Sequence, residues 1–498
     1  MSRRYKQGIV REQEALLPAR VEDYVSPENV VRAIDAYVDT LDLAALGFVH
    51  AQGELSRGQP AFSPACLLKL YLAGFLNRVH SSRRLALECT RNLEFIWLLE
   101  GLRPGFRCIA EFRQSNGAAL QQCSREFVLL CRELRLLGRQ TVAIDGAFFH
   151  GNASRASMLT DKRLHKELAK LESQIAAYYQ QLDEQDRAEQ GAPAQLDEVP
   201  DLPAKIAELK ARQQLRQRQL QQLQDSGQTQ LGQTDPDARI LHKAHQDVIG
   251  YNVQSTVETR NKLIIHHEVT HAGNDAEQLA TQAIAAKQIL QVKTLIAEAD
   301  TGYYSEEQLA ACAQAGITAY VPPPDKYQII ESQGRLSGAN FTYDAQQDAY
   351  LCPGNQYLYR QGNPTERRGQ MRTRYTCKAS LCKDCSLKDQ CLPPKTPYRQ
   401  IYRTEHASLI EAHRLRMART GAQHMRERAA TVEHPFGTLK CWFGYQHLLT
   451  RGFKKVRGEM SLAILAYNLL RVIHILGIEK FKKICAKRKA MARPAMAN

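Results

Sequence analysis

The stretch TVAIDGAFFHG, residues 141–151, marks the point where the sequence changes from helical to strand-like periodicity. Its β-branched and aromatic residues, together with the Asp-Gly pair, predict a buried strand followed by a turn. Further strands are predicted at 250–260, 262–271, 294–305 and 317–324, with one helix after 274 and another after 305. This order predicts an α/β fold with a mixed sheet, and it does not fit a helical bundle or a β-sandwich.

The region before this strand has helical periodicity. Ser26-Pro27 and Ser63-Pro64 each combine a capping residue with a proline suited to the first helical turn, so both predict helix starts. We therefore predict an all-helical N-terminal domain at 1–138, of a size that commonly carries DNA-binding helices.

Two insertions are predicted within the α/β core. Leu164, Leu168, Leu171 and Ile175 are spaced as in a coiled-coil seam, which predicts a helical hairpin at 155–234. Residues 325–403 are expected to form a small, loop-rich, cysteine-bearing insertion. The core then comprises 139–154, 235–324 and the helical stretch 404–478, and residues 479–498 form a basic tail.

Four of the 13 cysteines form a cluster with the spacing Cys377-x4-Cys382-x2-Cys385-x5-Cys391. Closely spaced thiolates suit tetrahedral Zn²⁺, and small loop-rich segments often need a metal for stability. The sequence therefore predicts a structural zinc site, with unligated thiols and then disulfides as the alternatives. Cys352, which lies 25 residues upstream of Cys377, could replace one of the four ligands.

Two aspartates lie at the ends of predicted core strands. Each of Asp145 and Asp300, taken alone, also fits an ordinary turn or cap residue. Together they would project into the crevice beyond the strand ends, where two carboxylates could hold Mg²⁺. Glu433 is the candidate third carboxylate. Lys440 follows it by two helical turns and so shares its face, although a solvated Glu–Lys pair would have the same spacing.

The chain carries 67 Lys and Arg against 52 Asp and Glu, a net charge of +15. Residues 398–457 hold an excess of eight positive charges and the tail from Arg471 an excess of seven, so the rest is near neutral. This placement favours a DNA-phosphate partner. No signal peptide is visible, and the apolar stretch 461–477 is interrupted by polar residues, so we expect a cytoplasmic protein without a membrane span.

Several segments resemble the bacterial insertion-sequence transposases of the DDE type, which have an RNase H-like catalytic core. The resemblance extends over about residues 25–478, and it is carried by TVAIDGAFFHG, by IAEADTGYYS (296–305) and most specifically by VEHPFGTLKCWFG (432–444). It implies that Asp145, Asp300 and Glu433 bind two Mg²⁺ or Mn²⁺ ions and that Lys440 contacts DNA phosphate.

The family signature around the glutamate is incomplete in this chain. Related families place a tyrosine seven residues before the glutamate and an arginine four residues before it, where this sequence has Arg426 and Ala429. Arg428 lies one residue from the arginine position. The remaining predicted DNA-binding residues are basic side chains near the glutamate: Arg426, Arg428, Arg451, Lys454 and Lys455.

The resemblance implies an enzyme that binds the terminal inverted repeats of its element and performs metal-dependent DNA cleavage and strand transfer. Its partners would be double-stranded element ends and target DNA, held by a homodimer near the bacterial nucleoid. Two alternatives remain at this stage. The chain could be a regulatory DNA-binding descendant that has lost catalysis, or an RNase H-like nuclease without strand transfer.

Overall fold

The computed structural model describes residues 20–52, 60–189, 201–243, 246–324, 326–367 and 369–492. Its N-terminal part is helical: α1 Val30–Val38, α2 Pro64–Leu76, α3 Ser82–Arg91, α4 Leu93–Leu98, α5 Phe106–Ser115 and α6 Gly117–Glu133. Ser63 caps α2 as predicted. The predicted start at Ser26 is wrong, because Asn29 caps α1 by accepting a hydrogen bond from the Val31 amide.

The first strand of the sheet is followed by the long helical insertion. Strand β1 is Thr141–His150, and the short strands β2 Met158–Thr160 and β3 Gln230–Gly232 pair at the base of the insertion. Between them lie helices α7 Asp161–Glu189 and α8 Leu202–Asp225, which pack against each other. The four predicted seam residues of α7 are buried. Residues 190–200, between these two helices, lie outside the described residues.

The central sheet has six strands. After β1 come β4 Arg239–Lys243, β5 Gln246–Glu258, β6 Ile264–Thr270, helix α9 Leu279–Leu290, β7 Leu295–Glu298, helix α10 Glu306–Gln314 and β8 Ile317–Tyr320. The order is β6-β5-β1-β7-β8, with β4 also paired to β5. Strand β5 is antiparallel to both of its neighbours β6 and β1, whereas β7 and β8 continue the sheet in parallel with β1. This confirms the predicted mixed α/β sheet.

The cysteine-bearing insertion contains more regular structure than predicted. After α11 Lys326–Ser332 it forms an antiparallel sheet of β9 Thr342–Asp344, β10 Ala349–Leu351, β11 Tyr357–Arg367, β12 Gln370–Thr376 and β13 Gln400–Thr404. Two short helices, α12 Ala379–Lys383 and α13 Lys388–Cys391, lie between the last two strands. The expectation of a loop-rich segment is wrong because Tyr343, Tyr350 and Tyr375 pack edge to face across these strands and supply a small core.

The C-terminal part is helical: α14 Ala407–Arg416, α15 Ala422–Gly437, α16 Phe453–Leu476 and α17 Ile478–Ala492. Single π-helical turns lie before and after α15, at Met417–Gly421 and Thr438–Trp442. Helix α15 packs on β1, β5 and β7, and so covers one face of the sheet.

Helix α16 joins the N-terminal helices to the sheet, since it packs on α2, α6 and β6. By length and composition it could cross a membrane, yet 72% of its most apolar window is buried inside the protein, as in a core helix. Helices α16 and α6 approach each other closely at two glycines. A side chain on Gly458 would begin 2.8 Å from the carbonyl oxygen of Gly117.

Candidate active site

Asp145 and Asp300 are brought together by the parallel pairing of β1 and β7. In that register Ala143 lies opposite Glu298, and each aspartate follows its partner by two residues. Arg428 of α15 bridges the pair: its Nη2 lies 2.6 Å from Asp145 Oδ1 and 3.2 Å from Asp300 Oδ2. The turn predicted at Asp145-Gly146 is wrong, because both residues pair with β5 and β1 continues to His150. The two predicted carboxylates therefore share one cation where β7 ends beside the middle of β1.

The environment of Asp145 makes its charged form costly. Burial raises the pKa of Asp145 to about 6, Arg428 opposes this shift, and the Asp300 charge adds to it. Asp300 is fixed at the N-terminus of a 3₁₀ turn, because its Oδ1 accepts a hydrogen bond from the Gly302 amide at 2.9 Å. The site thus combines the oriented carboxylate of Asp300, the half-buried carboxylate of Asp145 and the guanidinium of Arg428 between them.

A further carboxylate, Asp275, lies near this pair. The side-chain amides of Asn252 and Gln254 donate to its Oδ1 at 2.8 and 2.6 Å. A side chain on Gly302 would begin within 4 Å of both Asp275 Oδ2 and Asp300 Oδ1. The sequence did not place Asp275 in this site, because its approach to Asp300 depends on the packing of distant segments.

Glu433 is exposed on the outer side of α15. It lines a cavity of about 600 Å³ together with Arg78, Trp442, Tyr467 and Arg471. Arg428 and Glu433 are five residues apart, which is about 140° around a helix, so they point in different directions. Among the described residues, Glu433 makes no hydrogen bond or ion pair with either aspartate.

A second group of acidic and imidazole side chains lies beside Asp300. Glu298 is fully buried on β7, and the Nδ1 of His424 on α15 lies 2.6 Å from its Oε1. Burial, with the nearby Glu427 charge, raises the pKa of Glu298 to about 8. Burial also lowers the pKa of His424. Sequence reasoning missed this group, and the signal it overlooked was a glutamate within a predicted buried strand.

The predicted DNA-binding residues fall into two groups. Arg428 is occupied by the aspartates, and the half-buried Lys440 donates from Nζ to the Phe148 carbonyl oxygen at 2.9 Å. The other four are exposed around α15 and the start of α16: Arg426, Arg451, Lys454 and Lys455. Arg451 also donates to the Asn152 carbonyl oxygen at 3.1 Å. The exposed group could contact phosphate without breaking a buried contact.

All four predicted cysteine ligands line one small cavity of about 30 Å³, and Cys352 lines it with them. The Sγ atoms of Cys385 and Cys352 lie 3.3 and 3.7 Å from the point where a side chain on Gly354 would begin. The cysteines of the described residues are all free thiols. The cavity therefore gathers five thiols, one more than a tetrahedral zinc site needs.

Two family models match the sequence. Residues 351–473 match the family described as "Transposase DDE domain", and residues 19–115 match the family described as "Transposase domain (DUF772)". Over these two segments the chain is similar to transposases. The first match includes Glu433 and Lys440, and the second covers most of the N-terminal helices.

No curated protein matches the sequence. Among solved structures, the "Cryo-EM structure of piggyBac transposase synaptic complex with hairpin DNA" matches with a TM-score of 0.37 and 8% sequence identity. The match covers 94% of this chain and 83% of that chain. A TM-score of this size does not establish a shared fold.

Proposed function

We propose that the chain binds the terminal inverted repeats of an insertion sequence and catalyses metal-dependent DNA cleavage and strand transfer. The observation that carries the proposal is the close approach of Asp145, in the middle of β1, to Asp300, just after the end of β7. A sheet of three antiparallel strands continued by two parallel ones supports an RNase H-like core.

The residues of the pair fit a divalent cation. The guanidinium of Arg428 already lies between two carboxylates, so this position favours positive charge. Carboxylate oxygens are the ligands that Mg²⁺ and Mn²⁺ prefer, and Asp145 and Asp300 would hold the metal. When bound, such ions activate a water or a DNA 3′-hydroxyl and stabilise the leaving oxygen. The assignment of Glu433 as the third ligand rests on the family resemblance, and it requires α15 to turn its outer face to the sheet.

The exposed basic residues near α15 would hold DNA phosphates. Arg426, Arg451, Lys454 and Lys455 can each form an ion pair with the backbone, and affinity should fall steeply with salt because counterions are released. Lys440, fixed against β1, would contact phosphate close to the aspartates. Two element ends must be cut together, so we propose that the chain acts as a homodimer on DNA.

A second candidate function is a DNA-binding regulator that has lost catalysis. The outward position of Glu433 favours this reading, because a site with two aspartates and an arginine lacks the third acid of the family. An RNase H-like nuclease without strand transfer would share the aspartates and differ only in its products.

One assay separates these functions. Purified protein is incubated with Mg²⁺ and DNA carrying the repeats that flank its gene, and cleaved and joined products are resolved on a gel. We expect Asp145→Asn and Asp300→Asn to abolish both products, and Asp225→Asn, an exposed carboxylate at the end of α8, to leave them unchanged. Binding without cleavage by the unmodified chain indicates the regulator, and cleavage without joining indicates the nuclease. Activity that survives both aspartate changes refutes the site.

We also propose that four of the five clustered thiols bind structural Zn²⁺. Their common cavity supports this, because one ion would neutralise several thiolates in a small space. Elemental analysis of the purified chain should find one zinc per chain. Loss of that zinc in a Cys382→Ser, Cys385→Ser variant, but not in a Cys312→Ser variant, would support the assignment.

A further inference from the structure

The cluster of Glu298, His424 and Glu427 has the composition of a metal site. One ligand atom from each residue can be chosen so that all three lie within 4.8 Å of one another. Glu298 comes from strand β7, and the other two come from successive turns of helix α15. The cluster therefore joins the sheet to the helix that covers it.

Glu298 has an unsatisfied oxygen in this cluster. The residue is fully buried, and its Oε1 is bonded to His424, whereas its Oε2 is buried without a hydrogen-bond partner among the described residues. A buried carboxylate oxygen without a partner is costly, because it has lost its water and gained nothing in exchange. Such an oxygen indicates that a further ligand belongs beside it.

The charges around the cluster are not balanced by the protein. Lys262 and Arg428 are the nearby cations, and both have other partners. Lys262 Nζ donates to Thr431 Oγ1 at 2.9 Å, and Arg428 bridges the two aspartates. Glu427 takes part in no ion pair with another described residue. Two carboxylates consequently face one imidazole, a set that a divalent cation would neutralise.

His424 is held in the orientation that a ligand needs. Its ring stacks on Tyr320, with 3.6 Å between ring centroids and 27° between the planes. Packing that fixes a metal-binding imidazole reduces the entropy lost when the ion binds. The stacking therefore holds the imidazole in one orientation, with its Nδ1 beside Glu298.

We propose that Glu298, His424 and Glu427 bind a divalent transition-metal ion, of the class of Mn²⁺ or Zn²⁺. An imidazole with two carboxylates suits these ions, whereas Mg²⁺ favours oxygen ligands and water. The ion would replace the proton shared between His424 and Glu298. It would tie α15 to β7 one residue before Arg428, and so fix the guanidinium that contacts the aspartates.

The test uses Mn²⁺ as the probe, because soft thiolates do not select it and the cysteine cluster then does not interfere. The full chain is stripped with a chelator, titrated with Mn²⁺ and analysed by pulsed electron paramagnetic resonance for coupling to nitrogen. We expect a nitrogen-coupled Mn²⁺ in the unmodified chain. His424→Gln should remove this coupling and weaken binding at the site by at least tenfold. Glu298→Gln should weaken it comparably.

Asp300→Asn is the matched control, since it alters the neighbouring oxygen site and leaves the imidazole in place. It should retain the nitrogen coupling, so this test stands apart from transposition and needs no DNA. Unaltered nitrogen coupling in His424→Gln, or its absence from the unmodified chain, overturns the proposal. If circular dichroism shows that the Glu298→Gln variant is unfolded, the His424→Gln variant alone decides the outcome, because His424 is partly exposed.

Discussion

Replacing Arg428 with glutamine should destabilise the chain without metal and strengthen its binding of Mn²⁺. The guanidinium lies between Asp145 and Asp300, and only 16% of its side-chain surface is exposed. Its removal leaves two neighbouring carboxylates without a counter-charge. A cation that binds the aspartates must compete with Arg428 in the unmodified chain, and the variant removes that competition.

The size of the effect follows from the exposure of the two carboxylates. Asp145 is 24% exposed, so its contact is a mostly buried charged hydrogen bond of about 1.5–3 kcal/mol. Asp300 is 46% exposed, so solvent screens its contact to about 1 kcal/mol or less. We expect a loss of about 2–3 kcal/mol in the free energy of unfolding without metal. If the loss of Arg428 makes the binding free energy of Mn²⁺ at the aspartates more favourable by about 2 kcal/mol, Mn²⁺ binds about 30-fold more tightly.

Urea unfolding at increasing Mn²⁺ concentrations measures both quantities. Arg426→Gln is the matched control, because Arg426 lies on the same helix and is exposed. It should change neither the stability nor the Mn²⁺ dependence. An Arg428→Gln variant that is as stable as the unmodified chain without metal, or that binds Mn²⁺ equally or more weakly, would contradict this prediction.

Three further predictions concern stability. Gly458→Ala should lower the free energy of unfolding in urea by about 1–3 kcal/mol, because its methyl group would collide with Gly117. Gly437→Ala is the control, since the space around Gly437 is open and the change should not destabilise the chain. Equal effects of the two changes would contradict the prediction. Glu459→Ala should cost about 2–4 kcal/mol, since its buried carboxylate accepts two backbone amides of the loop before α16, and a loss below about 1 kcal/mol would contradict that role. Burial lowers the pKa of His267 to about 3, so below about pH 6.5 the unfolded chain binds a proton that the folded chain does not. The free energy of unfolding therefore falls by about 1.4 kcal/mol per pH unit as the pH is lowered. Between pH 7 and pH 5, the His267→Gln variant should lose about 2 kcal/mol less of this free energy than the unmodified chain.

The central sheet was predictable because its strands are short apolar runs bounded by turns. Such runs occur around Asp145 and before Asp300, and parallel neighbours bring their ends to the same edge. Local patterns and this rule predicted that the two aspartates meet, but the reason is the register, which sets the end of β7 beside the middle of β1 where Asp145 lies. Arg428 entered the prediction only as an imperfect match to a family motif, because the docking of α15 on the sheet is not a local property.

The features that the sequence did not predict depend on contacts between distant segments. The tyrosine core of the second sheet is built from strands of three to eleven residues, and its longest strand is mostly polar. The partner of Glu298 lies 126 residues away on α15, and Asp275 is oriented by amides of β5. Helical spacing predicted that Glu433 and Lys440 share one face, but Lys440 contacts β1 whereas Glu433 is exposed on the outer side. The spacing could not show the π-helical turn at Thr438–Trp442 or which side of the helix faces the sheet.

The rotational setting of α15 determines which charge meets the aspartates. One side of the helix presents Arg428 to Asp145 and Asp300, and Glu433 lies about 140° away on the outer side. Three carboxylates placed together repel one another strongly, so Glu433 could replace the guanidinium only if bound cations supplied the missing charge. Single π-helical turns interrupt the α-helical register at both ends of α15, and such turns are frequent at functional sites. Metal affinity at the aspartates and the orientation of this helix are therefore coupled through Arg428.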